Sequence, residues 1–332
     1  MKAVVLVGGF GTRLRPLTLA RPKQMLPLNG QTMLERVMTT LASHGVDEAV
    51  LALGYRPEIF TDAFPDGTIA GVKMHYAVEP EPLDTAGAIG FAARAAGFTE
   101  TFIAVNGDVL TDIDLGQLMA KHREWGGEGT IALTPVDDPS RFGVVPIDDQ
   151  NRVAAFIEKP PADEAPSNWI NAGAYVLEAS VLDRIPEGER VSIERQVFPE
   201  MVASGGLFAM QSDAYWVDAG TPESYLQVAL DLINGARSNE PGVSETASID
   251  ETATVVGSIV GAGARIAAGA EVRGSMIQAG AIIGEGATVI DSIVGPQATV
   301  GAGSVLTAFT VIGDNENIAN SSEHAGERVP AS

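Results

Sequence analysis

The chain contains no cysteine, which excludes disulfides, thiolate metal sites and a cysteine nucleophile. Positive charge is scarce: 21 Lys and Arg stand against 43 Asp and Glu, for a formal net charge of −22. A surface that acidic repels nucleic acid and anionic membrane, so neither is expected as a partner. There are only 4 histidines. His44, His75 and His122 fall on expected helices or a strand, away from the motifs described below. Long apolar runs are missing as well. The first, Ala3-Val4-Val5-Leu6-Val7, stops at a pair of glycines, too short for a secretory segment or a membrane span. The expectation is a cytoplasmic protein.

Because basic residues are few, their placement is informative. Lys2, Arg13, Arg15, Arg21 and Lys23 put 5 of the 21 into the first 23 positions. They flank Val7-Gly8-Gly9-Phe10-Gly11-Thr12-Arg13, where an apolar run ends in three glycines out of four residues. Glycines there let backbone N–H groups approach a polyphosphate with no Cβ in the way. Arg13 and Lys23 supply cations beside it. The pattern is not a Walker A loop, and Leu14 occupies the place of the third glycine in a dinucleotide fingerprint.

A length of 332 residues suggests about two domains. Over the first two-thirds, short apolar runs at 3–7, 49–53, 72–77, 102–105 and 130–133 read as buried strands. Helical patterns over 32–44, 85–96 and 114–125 alternate with them, the first opened by a capping box of Thr32 and Glu35. This alternation implies an α/β, Rossmann-like, mostly parallel sheet. Further strands are expected at 144–147, 153–157 and 172–177, and a helix over 222–233 closes a first domain of residues 1–233. Residues 234–245 are polar and carry glycine and proline, and read as a linker.

Beyond the linker the chain becomes an array. Branched apolar residues fall at Ile249, Val255, Val260, Ile266, Val272, Ile277, Ile283, Val289, Val294, Val300, Leu306 and Val311. From Val255 the steps run 5, 6, 6, 5, 6, 6, 5, 6, 6, 5. This is a 17-residue coil of three short strands, with Gly-Ala pairs such as Gly263-Ala264 and Gly280-Ala281 at the corners. A parallel β-helix over 246–320 is expected, followed by a polar tail, 321–332. Exposed coil edges favour assembly, so a homo-oligomer through the β-helix is expected.

The run from Gly8 to Lys23 resembles the nucleotide-sugar pyrophosphorylases, a nucleotidyltransferase family. Other segments match it in order: Glu81-Pro82-Leu83 with Thr85-Ala86-Gly87, Asn106-Gly107-Asp108, Phe142-Gly143-Val144-Val145, Glu158-Lys159-Pro160, Asn171-Ala172-Gly173, Ser192-Ile193-Glu194 with Val197-Phe198-Pro199, and Trp216-Val217-Asp218-Ala219-Gly220. The resemblance implies that the β-helix is left-handed, although the general crossover rule favours the other hand. It also implies transfer of a nucleotidyl group to a sugar 1-phosphate with release of pyrophosphate. GTP and mannose 1-phosphate are the implied substrates, and thymidylyl or uridylyl transfer to glucose 1-phosphate is the alternative.

The resemblance further implies roles. Arg13 and Lys23 are catalytic. Gly8, Gly9, Gly11, Thr12, Glu79, Glu81 and Thr85 bind nucleotide, either glutamate being able to accept from the N1 and N2 donors of guanine. Gly143, Glu158, Lys159 and Asn171 bind the sugar phosphate. Asp108 and Asp218 hold Mg²⁺, a cation suited to two carboxylates plus phosphate oxygens and water. Asp84 stands where the family has glycine. Two other classes compete: acetyl transfer on the β-helix, which needs a histidine base that only His324 could supply, and a non-catalytic nucleotide-sugar-binding subunit.

Overall fold

The computed structural model describes residues 1–331. It divides into two compact units, one of Met1–Gly9 with Leu34–Trp216, the other of Phe10–Met33 with the chain from Val217 onward. No helix among the described residues is long and apolar enough to cross a membrane.

The first unit is built on a ten-stranded mixed sheet. Its centre is parallel: Lys2–Leu6 lies between Glu48–Leu53 and Phe102–Asn106, and Val72–Val78 continues beyond Glu48–Leu53. These strands read as continuous apolar runs because helices cover both faces of such a sheet. Ala3, Val4 and Val5 are wholly buried. Antiparallel strands extend the sheet on the other side, where Trp169–Leu177 pairs with both Phe102–Asn106 and Gly129–Pro135. Helix Asp84–Ala95 buries Ala86, Gly87, Ala88, Ile89, Gly90, Ala92 and Ala93, all but Ile89 small residues that allow close approach. Helix Leu115–Trp125 starts at Asp114, whose side chain accepts from the Gln117 amide, and stops at Gly126 in the left-handed region.

Two expected strands contract. Over 144–147 only Gly143–Val144 is a strand, and over 153–157 only Ile157–Glu158, with a single bridge between Ile147 and Val153. Short two-residue pairings suffice there because the segment lies at the sheet's end.

The second unit contains the left-handed β-helix: three five-stranded parallel sheets. Partners along one face are Ile249, Ile266, Ile283, Val300 and Ile318. The inward residues Val272, Val289, Val294, Val300 and Leu306 are wholly buried, with Ala264, Ala281, Ala287 and Ala298 filling the corners. Ser258, Ser275 and Ser292 form a buried ladder, each hydroxyl of the first two accepting from the amide 17 residues on.

Two expectations are corrected. Val294 pairs with Ile312, not Val311, so the inward step from Leu306 is six residues and that coil has 18. The extra residue sits at a corner where Ala308 and Phe309 both adopt positive φ. The array also does not end at 320. Glu323–Ala325 and Arg328–Val329 pair with Val305–Thr307 and Val311–Ile312, making 321–329 a further coil in place of a polar tail. Its polarity hid it, because His324 takes an inward register position opposite Leu306. The compact units group residues in another way from the expected domains: Phe10–Met33 and helix Pro222–Asp231 go with the β-helix. The physical reason lies in their bonds. Arg21 pairs with Asp314, and the Tyr225 hydroxyl donates to the Pro27 carbonyl while accepting from Gln278.

Candidate functional site

In the first unit, strand Lys2–Leu6 leads into Gly8 and Gly9. Gly9 has φ +114°, and nothing lies within 4 Å of where its Cβ would be, so the backbone here faces open space. A Cβ on Gly8 would stand 3.6 Å from Glu79 Oε1. Glu79 follows strand Val72–Val78. Its Oε2 accepts from the Leu83 amide at 2.9 Å, and burial pushes its carboxyl above the usual range. Glu81 is exposed. Of the two glutamates, only Glu79 is placed beside the glycines.

Thr85 is already committed. Its hydroxyl donates to Glu194 at 2.7 Å and accepts from the Ile193 amide at 2.8 Å. The Ser192-Ile193-Glu194 motif thus braces the start of helix Asp84–Ala95. Asp84 has φ +62°, which explains a glycine preference at this position; aspartate tolerates that region better than most residues. Its carboxylate accepts from the Thr85 amide and lies 3.6 Å from Arg190.

At the carboxyl edge of Phe102–Asn106, the Gly107 amide donates to the Leu6 carbonyl at 2.8 Å. A Cβ there would lie 2.7 Å from Val7 and 2.8 Å from that carbonyl oxygen. Only glycine lets the chain cross so closely and deliver Asp108 to the edge. Gly173 has φ +73°, and its missing Cβ would be 2.5 Å from Asn106 Nδ2. The Asn-Gly-Asp and Asn-Ala-Gly motifs therefore interlock.

The residues expected at the sugar phosphate also gather in this unit. Gly143 is paired with Glu158, and a Cβ on it would stand 3.2 Å from Glu158 Oε2 and 2.6 Å from the Phe156 ring. Lys159 has φ +51°, its ammonium lies 3.0 Å from Glu158 Oε1, and its side chain is 58% exposed. Asn171 donates to the Tyr175 hydroxyl at 2.8 Å and accepts from the Gly173 amide at 2.9 Å, which fixes its carboxamide. Trp216 donates from its indole to the Ala172 carbonyl and packs edge-on against Phe142.

The cations come together in the second unit. Gly11 has φ +57°, and the Thr18 hydroxyl donates to its carbonyl. A short helical turn, Thr12–Leu14, carries an exposed Thr12 and Arg13, and a second, Lys23–Met25, carries Lys23. A Cβ on Gly220 would lie 2.6 Å from the Arg13 guanidinium and 2.9 Å from Asp218 Oδ1. That Asp218 oxygen is buried and has no hydrogen-bond partner among the described residues. Burial lowers the Lys23 ammonium to about 8, with the neighbouring charge of Asp218 opposing and that of Arg13 adding to the shift. With two cations side by side, the cluster suits a polyanion. Asp108 belongs to the first unit and Asp218 to the second. Among the described residues no three acidic or histidine side chains cluster as a ready-made metal site. Gly107, Gly173, Tyr175 and Gly220 were not expected as site residues. Their signal was present, since each sits inside or beside a matched motif.

The profile described as "Nucleotidyl transferase" matches residues 2–235, and that described as "GMPPB C-terminal domain" matches 239–328. The chain belongs to the nucleotidyl transferase family. This nucleotidyl transferase is 41% identical over 288 residues to a mannose-1-phosphate guanylyltransferase of Mycobacterium tuberculosis, covering 83% of this chain and 79% of that protein. It is 38% identical over 302 residues to a probable mannose-1-phosphate guanylyltransferase 1 of Oryza sativa subsp. japonica, covering 84% and 83%. Among solved structures, it resembles HddC from Yersinia pseudotuberculosis complexed with GMP-PN. The TM-score is 0.60 at 29% identity, over 69% of this chain and 97% of that one.

Proposed function

We propose that this nucleotidyl transferase makes GDP-mannose from GTP and mannose 1-phosphate, releasing pyrophosphate. The observation that carries the reading is the grouping of Arg13 and the buried Asp218 oxygen at Gly220, with Lys23 near enough for both charges to act on it. It is supported by relatives about 40% identical that bear the guanylyltransferase name and by a solved relative whose title carries GMP-PN.

The triphosphate lies along the glycine loop of residues 8–11 and Thr12, with Arg13 and Lys23 neutralising its α-phosphate and the departing pyrophosphate. The sugar phosphate is held by Lys159, its ring hydroxyls by Glu158, Asn171 and the Gly143 backbone. A phosphate oxygen of mannose 1-phosphate attacks the α-phosphorus, the bond to the β-phosphate bridging oxygen breaks, and pyrophosphate leaves. A phosphate monoester is already anionic at neutral pH, so no general base is required. Positioning and charge neutralisation supply the rate. Glu79 accepts from guanine N1 and N2. Thr85 acts behind it, by bracing.

A buried carboxylate oxygen with no partner is a fitting donor for a hard cation. Mg²⁺, held by Asp108 and Asp218, would supply charge compensation for the phosphates. The protein is read as cytoplasmic, and its β-helix as an assembly surface, with Val256 and Ile282 exposed on it.

The experiment is pyrophosphate release from GTP, dTTP, UTP and ATP against mannose and glucose 1-phosphates. GTP with mannose 1-phosphate is expected to give the highest kcat/KM. Preference for dTTP or UTP with glucose 1-phosphate would move the assignment to the thymidylyl or uridylyl enzymes, and no turnover with any pair would favour a binding subunit.

A further inference from the structure

The loop that carries Arg13 and Lys23 is held from the far end of the chain. Arg21, two residues before Lys23, forms an ion pair with Asp314, whose side chain is only 11% exposed. Asp314 sits in the turn after strand Val311–Ile312. Beside it, a Cβ on Gly313 would lie 3.2 Å from Pro16 and equally close to Val329 O. The Gly313 amide donates to that same Val329 carbonyl at 2.7 Å. Arg328, in the last coil, donates from its guanidinium to the Arg13 carbonyl at 2.9 Å. The coil that sequence alone presents as a polar tail is therefore bonded to the backbone of one catalytic cation. It also backs the turn that grips the segment bearing the other.

Local structure does not hold this loop by itself. Its regular elements are two three-residue turns, too short to fix a geometry without outside contacts. The ion pair is worth having here because Asp314 is largely withdrawn from water, where a single charge partner sets which way Arg21 lies. Burial alone pushes the Asp314 carboxyl up, and Arg21 pulls against that.

We propose that Asp314 and Arg328 are positioning residues: the last two coils of the β-helix hold the Arg13–Lys23 loop in the geometry that phosphate transfer needs. The proposal rests on the guanylyl-transfer reading for its kinetic consequences, but not for its structural ones. Neither residue touches substrate. Each acts through Arg21 or through the Arg13 backbone.

The test uses the full chain with Asp314→Asn, Arg328→Met, and the exchanged pair Arg21→Asp with Asp314→Arg. Displacing a catalytic cation by about 1 Å costs up to ~100-fold in rate. Asp314→Asn is expected to lower kcat about tenfold or more and Arg328→Met less, with KM for the sugar phosphate changed by less than about twofold, because the sugar-phosphate residues lie in the first unit. The exchanged pair is expected to recover part of the loss, which ties the effect to the Arg21–Asp314 pair and not to either side chain alone. Hydrogen exchange gives a readout independent of any substrate. The amides of Leu14, Leu17, Met25 and Leu26, each closing a short turn, are expected to exchange faster in Asp314→Asn while the first unit's strand amides do not change. Unchanged kcat and unchanged exchange in both single variants would overturn the proposal. If the wild type turned over no nucleotide pair, the guanylyl reading would fall, and exchange would still decide this one. A variant that failed to fold would leave Arg328→Met, a half-buried side chain, to decide the matter.

Discussion

Gly220 and Arg13 occupy each other's space: the guanidinium lies 2.6 Å from where a Cβ on Gly220 would be. Gly220 has no positive φ among the residues that adopt one, so its reason for being glycine is this approach and not the backbone. Gly220→Ala is expected to push Arg13 aside and lower kcat on the order of 10- to 100-fold. The change in folding stability should stay within about 2 kcal/mol, since only a side-chain tip must move. Steady-state kinetics beside a denaturant titration checks both, and a kcat within twofold of wild type would contradict the packing argument.

Lys23 gives a pH dependence with a definite direction. In the folded protein it releases its proton near 8, while unfolded it keeps it to about 10.5. Between those values the unfolded chain binds more protons, so this group adds stability as pH rises from 8 toward 10.5. Its contribution to anion binding falls through the same window. Calorimetric titration of a triphosphate into metal-free protein from pH 7 to 9.5 is expected to show affinity dropping through about 8. Lys23→Gln should flatten that drop. A wild-type profile already flat across the window would count against a role for the Lys23 charge.

The two glutamates considered for the base are expected to separate. Glu79 is half-buried next to Gly8, and Glu81 is exposed. Glu79→Gln should lower kcat/KM for GTP on the order of 10- to 100-fold, the cost of a charged hydrogen-bond partner lost, and narrow the preference over ATP. Glu81→Gln should stay within about threefold. Equal effects would show that position along the loop does not decide recognition.

Thr85→Val separates bracing from contact. Its hydroxyl bridges Glu194 and the Ile193 amide, so its removal leaves a carboxylate and an amide short of a partner. We expect a stability loss of about 1–3 kcal/mol with KM for the nucleotide changed by less than about threefold. A large rise in KM at unchanged stability would put the hydroxyl on the nucleotide instead.

Much of this was legible in the sequence, for identifiable reasons. The parallel centre showed because runs such as Ala3-Val4-Val5 are apolar on both faces, and the β-helix because Val289, Val294 and Val300 keep a fixed count. The period failed where one residue was added near Ala308 and Phe309. Val311 and Ile312 are both apolar, so composition could not say which turns inward. The last coil was hidden by the polar residues Glu323, His324 and Arg328 on its strands. In the site, motif residues were visible one by one. Their juxtaposition was not: Arg21 and Asp314 are 293 positions apart, and no local pattern relates them. Glycines such as Gly107 and Gly173 matter for what approaches them, which a sequence does not display.

Asp108→Asn bears on the metal. If Asp108 is a ligand, turnover at saturating Mg²⁺ should fall by at least about 100-fold, with the fold intact by circular dichroism. Ordinary activity in that variant would remove the assignment.

In the proposed reaction, Arg13, Lys23 and the glycine loop carry GTP through attack by mannose 1-phosphate. Phosphorus NMR of one reaction mixture tests it most directly. The two substrate spectra are expected to decay together while pyrophosphate and a sugar-linked diphosphate grow in equal amounts, and Arg13→Met and Lys23→Met to stop all four changes. Free GDP and inorganic phosphate appearing instead, or product forming at the wild-type rate in both variants, would contradict it.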